Sequence, residues 1–167
     1  MRWYRPALMR TTWAVERDGR MEEIMKIIGV VLIVLFWAPL TLQAEDLGNL
    51  SANPFDAEST ANPFGKGSPF APNGINNPFS PYGSPFSNRS ATNPFATDTP
   101  RLYDQQGHYR GKLSANPFDA DSTSNQFGRY GSPFSPESLN NPYGAGSPYR
   151  PDSPKNPYGK GWRIEGR

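Results

Sequence analysis

The side chains able to do chemistry are few, and their surroundings do not organise them for it. His108 is the sole histidine and is flanked by polar residues, which reads as a surface imidazole and neither a general base nor a metal ligand. There is no cysteine, so a thiolate nucleophile, a disulfide and a lipidated N-terminal cysteine are all excluded. No serine sits in a G-x-S-x-G turn. Asp56-Ala57-Glu58 and Asp119-Ala120-Asp121 set carboxylates two apart, but a calcium loop needs about six oxygens. These pairs read as solvated turn residues. The glycine runs lack the order of a phosphate loop. The chain is therefore predicted to be no enzyme, with no catalytic residue, no cofactor and no metal. What remains is aromatic: residues 45–167 carry nine Phe, seven Tyr and Trp162. Rings on a stiff scaffold can stack on a partner, and Tyr143, Tyr149 and Tyr158 are the candidate contact residues.

The rings are placed by a recurring phrase. Asn-Pro-Phe begins at Asn53, Asn62, Asn77, Asn93 and Asn116, and Asn-Pro-Tyr at Asn141 and Asn156. Ser-Pro-Phe/Tyr begins at Ser68, Ser84, Ser132 and Ser147, and Asn125-Gln126-Phe127 fills one degenerate slot. Ser80-Pro81-Tyr82 falls out of step and is left aside. The slots advance by 9, 6, 9, 7, 9 in a first set and 9, 7, 9, 6, 9 in a second, a unit of 15 to 16 residues. A longer duplication lies over this: Leu50 to Ala57 recurs unchanged as Leu113 to Ala120, 63 residues later. Periodicity of this kind takes precedence in reading a fold.

Asn first, Pro second and Gly fourth, as at Asn62-Pro63-Phe64-Gly65, is the preference of a type I turn. The Asn carboxamide can bond backbone two residues on. The spacing predicts a turn-rich, largely non-globular repeat or thin coil of polyproline-II segments and turns, with each ring a peg on its neighbour's proline. Closely spaced prolines forbid helix. Seven aliphatics in residues 45–167 are too few for a conventional core, which leaves a disordered, low-complexity chain as the other outcome. Between Pro100 and Pro117 prolines stop, and Leu102-Tyr103 and Tyr109-Arg110 around Asp-Gln-Gln-Gly read as a short β-hairpin.

The phrase, best seen in SPFSPESLNNPYG from Ser132 to Gly144, resembles a group of small exported bacterial proteins. That resemblance spans most of 46–163, implies an envelope setting and brings no catalytic residues. Many Tyr positions of that pattern are Phe here, and Gln126 stands in place of a proline. Asn-Pro-Phe also resembles the peptide ligand of endocytic EH-domain adaptors, but export would remove it from their compartment.

Residues 27–42 are almost wholly apolar, preceded by Met25-Lys26 and followed by Leu42-Gln43-Ala44. This is the layout of a secretory signal peptide over 25–44, cleaved after Ala44, with a signal helix. An inner-membrane anchor over 27–42 is the alternative, although sixteen residues fall short of the ~20 that span a bilayer. Residues 1–24 then read as an over-extended N-terminus or a long n-region, with Met1, Met21 or Met25 as the start. The organisation predicted is repeat half 45–100, hairpin linker 101–113, repeat half 114–162 and tail 163–167. Beyond residue 44 the 11 basic and 11 acidic residues cancel, so a nucleic-acid partner lacks its electrostatic footprint. The function expected is that of an exported, periplasmic or extracellular, non-enzymatic repeat protein of the bacterial envelope, structural or interacting. The alternative is a glycan or peptidoglycan-binding module that uses exposed rings.

Overall fold

The computed structural model describes residues 22–26 and 44–167. Residues 22–26 are helical and exposed, and belong to a unit separate from the rest. The apolar run 27–42, read as signal helix or anchor, lies outside the described residues. Among the described residues no helix is long and apolar enough to cross a membrane.

Residues 44–167 contain one antiparallel sheet, formed by β1 (Glu45–Leu50), β2 (Arg101–Tyr103), β3 (Tyr109–Lys112) and β4 (Trp162–Gly166). Its order is β1-β4-β2-β3. The predicted hairpin is present as β2 and β3, with Arg101 opposite Lys112 and Tyr103 opposite Tyr109. The expected tail 163–167 is instead the body of β4, an inner strand, with Ile164 fully buried opposite Leu102. Ile164 is apolar amid polar neighbours, and strand period 2 turns it into the core.

Divided at the hairpin turn into 45–106 and 107–167, the chain has two halves that interleave. β1 pairs with β4, and β3 with β2, so the first half's own two strands never touch. Advancing 63 residues carries β1 onto β3 and β2 onto β4, which reads the sheet order backwards. The outer strands are closed off by the coil. Asn49 N–H donates to Glu58 O and Thr60 N–H to Asn49 O, and Lys112 repeats both with Asp121 and Thr123. An unpaired edge would invite association with other chains, and here both are covered. Each outer strand turns at a glycine with positive φ, +89° at Gly48 and +95° at Gly111. A Cβ there would collide with Lys66 or Tyr130, so glycine is required on two counts.

The expected shortage of aliphatics goes with a small core. Leu47, Tyr82, Leu102, Ala145, Trp162 and Ile164 are buried, with Leu50, Ile75, Leu113 and Leu139 packed against them. The strands supply Leu47, Leu50, Leu102, Trp162 and Ile164, and the coils add Ile75, Tyr82, Leu139 and Ala145.

The two long connections fold as chains of turns that share their corners. From Asp56 to Ser80 every third N–H donates to the carbonyl three residues back, and the same cadence runs from Ser132 to Gly159. Most corner residues face inward and most of those between them face out; Gly67, Ala145, Gly146 and Pro154 are buried between corners, and the corner Arg150 is exposed. The corners are small: Ser59, Ser90, Ser122, Ser138 and Ser153 are 0 % exposed. Each such Ser Oγ accepts the N–H two residues on, as from Ala61 and Asn140, and Ser59 and Ser122 also donate to Ser51 O and Ser114 O. This interior is held by hydrogen bonds and little apolar area. Five three-residue steps give the 15-residue unit. A four-residue step gives 16, from Ser80 to Ser84 and from Gly128 to Ser132. The added residue turns Tyr82 and Tyr130 inward, to 1 % and 7 % exposure.

Candidate binding surface

The predicted turn chemistry is present. Gly65, Gly144 and Gly159 donate to the carbonyls of Asn62, Asn141 and Asn156. The degenerate Asn125-Gln126-Phe127 makes the same turn, closed by Gly128 N–H, so proline is dispensable there.

The rings, however, are not pegs. All nine Phe of this part, with Tyr143, Tyr149 and Tyr158, stand 87–98 % exposed. The third position of each turn projects away from the corners that pack. The usual preference is inverted: every Phe is outside, and the buried rings are Tyr82, Tyr130 and Trp162. Tyr82 belongs to the out-of-step copy and joins the core. Its hydroxyl donates to one of two acceptors 3.0 Å away, Glu45 Oε2 and Arg167 O. Burial, reinforced by the Glu45 carboxylate, raises its pKa.

The exposed rings come in six pairs nine residues apart, and one residue couples each pair. It is the Asn two before the second ring: Asn62, Asn77, Asn93, Asn125, Asn141 and Asn156. Its Oδ1 accepts the second ring's backbone N–H at 2.9 Å in all six. Its Nδ2 donates, at 2.8–3.1 Å, to the carbonyl of the residue just after the first ring. Both polar ends are engaged, so the two turns that carry a ring pair are locked together. One pair, Phe118 and Phe127, walls a groove of about 340 Å³ with Pro117, Ser124, Asn125 and Gln126. The signal for the clamp lay in the sequence and was missed: Ser precedes five of the six Asn by three residues.

The three candidate rings are distributed differently. Tyr143 is 96 % exposed on the turn at Asn141, and Tyr149 is 91 % exposed on the turn at Ser147. Tyr158, 90 % exposed, is brought against the hairpin turn. There it lines an open cleft of about 700 Å³ with Gln105, Gln106, Arg150, Pro151, Asp152, Gly159 and Lys160. Gln105 Nε2 donates to Gly161 O at 2.7 Å and ties that turn to the coil. Arg150 Nε and Nη2 donate to the two Asp152 oxygens at 3.2 Å each, and this pairing favours the charged guanidinium.

His108 sits at the hairpin turn. Its side chain is 72 % exposed and sits 3.1 Å from a fully buried partner, Asp104. Asp104 also accepts from the N–H groups of Gln106 and His108 and from Arg110 Nε and Nη2. Burial works against its ionisation, but these donors outweigh it and hold the carboxyl below its ordinary range. This is a brace for the hairpin turn. Asp119 accepts from Asp121 N–H and Lys112 Nζ, and Asp56 from Glu58 N–H. The paired carboxylates thus cap turns. Among the described residues no group of three potential metal ligands forms.

No family model, curated protein or solved structure matches the chain.

Proposed function

We propose that the protein is a non-enzymatic, interaction-type repeat protein of the bacterial cell envelope, exported and working through its outward rings. The observation that carries the reading is the twelve exposed aromatics held on hydrogen-bonded turns. Each ring left in water forgoes about 2–3 kcal/mol of burial. Twelve placed alike, each pair clamped, fit a surface that is covered by a partner. The compartment reading is supported by the start of the sheet. β1 begins at Glu45, the residue that cleavage after Ala44 would leave first. Cleavage there would spare the whole sheet.

The test combines fractionation with ring removal. Protein expressed from Met25 is expected in the envelope or periplasmic fraction with Glu45 as its N-terminal residue by mass. Changing the six Phe of 53–96 to Ser should release it from sedimenting envelope material without altering its circular dichroism. Cytosolic retention of the wild type sinks the export reading, and unchanged sedimentation sinks the ring-mediated one.

A second reading, glycan binding, is favoured by the Tyr158 cleft, where an exposed ring is surrounded by amide, guanidinium, carboxylate and ammonium groups.

A further inference from the structure

We propose that the cleft between the hairpin turn and the last ring pair is a saccharide site that takes one pyranose unit of a longer chain; this rests on the glycan reading above. The argument begins with what the cleft offers. A pyranose has a face of C–H groups and an equator of hydroxyls. Tyr158 supplies a flat, 90 % exposed platform for the first. Around it stand groups suited to the second: the Asp152 carboxylate as acceptor, and Arg150, Lys160 and Gln106 as donors. Gln105 has its Nε2 committed to Gly161 O, which leaves its Oε1 as an acceptor in a fixed place. The Arg150–Asp152 pair is bidentate, so its planar donors and acceptors meet a ligand already oriented. A cleft of about 700 Å³ accommodates a ligand of this size.

Internal comparison singles the site out. Sixty-three residues earlier, Arg150, Asp152, Tyr158 and Lys160 correspond to Ser87, Arg89, Phe95 and Thr97. The same scaffold there bears neither the acid–base pair nor the phenol. Gln105 and Gln106 belong to the hairpin turn, which occurs once among the described strands. A second polar cleft does lie beside Arg89, lined by Asp98, Arg101, Tyr103, Glu165 and Arg167, but it has no exposed ring to act as a platform. Mixed charge in the lining of the Tyr158 cleft, two cations against one carboxylate, argues for a hydroxyl-rich ligand over a polyanion, which would meet Asp152. Asn156 is the positioning residue. It accepts from Tyr158 N–H at 2.9 Å and donates to Arg150 O at 2.9 Å, which sets the platform against the polar rim.

The experiment titrates residues 45–167 with chitohexaose and, separately, cellohexaose, following amide shifts by NMR and heat by calorimetry. Saturable binding to at least one is expected, with shifts at Gln105, Gln106, Asp152 and Tyr158. Tyr158→Ala and Asp152→Ala should each weaken it about tenfold. Phe127→Ala, a ring on another pair, should leave it unchanged. Tyr158 and Phe127 are both exposed, so neither change threatens the fold. Binding that survives Tyr158→Ala but is lost when other rings are removed overturns this site and keeps the glycan reading. No saturable binding to either sugar overturns both, and leaves the envelope reading to its own fractionation test.

Discussion

At the residue scale the molecule divides its aromatics by whether they carry a polar handle. Tyr82 is buried because its hydroxyl finds Glu45 Oε2 or Arg167 O; a Phe there would lose that hydrogen bond. Tyr82→Phe is expected to cost about 1 kcal/mol in urea unfolding. Phe127→Ala, at 98 % exposure, should fall within about 0.5 kcal/mol of wild type. Equal effects would contradict this division. The titrating groups set a stability window. Asp104 and Asp119 have lowered folded pKa values: burial opposes ionisation, but their donors prevail. Their contribution is present above the unfolded carboxylate pKa of about 3.9 and is lost as pH falls through the folded values. Tyr82 and Tyr109 are raised, by burial first and then by Glu45 and Asp121. Their contribution holds below the unfolded phenol pKa of about 10 and is lost as pH climbs through the folded values. Thermal midpoints between pH 2 and 12 should form a plateau that falls at both ends, and Asp104→Asn should flatten the acid fall. Because Arg110 would lose its buried partner, that variant should also cost about 2–3 kcal/mol at neutral pH.

At the element scale the unit of construction is the three-residue turn step, and the Asn clamp is its cross-brace. Asn77 is the test case, since it is buried and engages both ends, with Phe79 N–H and Ala71 O. Asn77→Ala should cost about 1–3 kcal/mol through the stranded carbonyl and N–H. Asn77→Asp should cost at least as much: it keeps the acceptor, but sets a carboxylate oxygen where Nδ2 faced a carbonyl. An Asp variant as stable as wild type, by chemical denaturation at neutral pH, would show that only the turn cap matters. The turns, their Asn acceptors and the hairpin were legible from Asn-Pro-x-Gly and the proline-free centre, because those rules are local. Ring direction was not. A ring beside proline reads as a peg when outward and inward cannot be told apart, and the deciding clue was the three-residue run of Ser, Asn, Gly and Ala corners. Nor was the meaning of the 7-residue steps visible, although each marks the extra residue that turns a Tyr inward. Tyr158 was singled out, but Gln105 and Gln106 lie more than 40 positions from it, and only the strand order unites them.

At the scale of the whole molecule the consequential fact is that neither half can build the sheet alone. The first half supplies β1 and β2, the second β3 and β4, and they alternate as β1-β4-β2-β3. Every strand pairing therefore joins one half to the other: β1 to β4, β2 to β4, and β2 to β3. The core obeys the same rule, with Leu47, Tyr82 and Leu102 from the first half meeting Ala145, Trp162 and Ile164 from the second. Ser51 Oγ donates to Gly159 O and Ala52 N–H to Pro154 O, which links the coils as well. An isolated half would expose two unpaired strands and half of a small core, and hydrogen-bonded turns alone bury too little to order it. The covalent link between halves is one turn, Asp104 to His108, where Gly107 has φ +85° and nothing near its absent Cβ. A chain cut between Gln106 and Gly107 should thus keep its fold as a complex of two fragments. Residues 45–106 and 107–167, prepared separately, should each show collapsed amide-proton dispersion, and mixing them should restore the dispersed spectrum at a 1:1 ratio. Dispersion in either fragment alone would mean that the turns carry the stability and that the interleaved sheet merely decorates them.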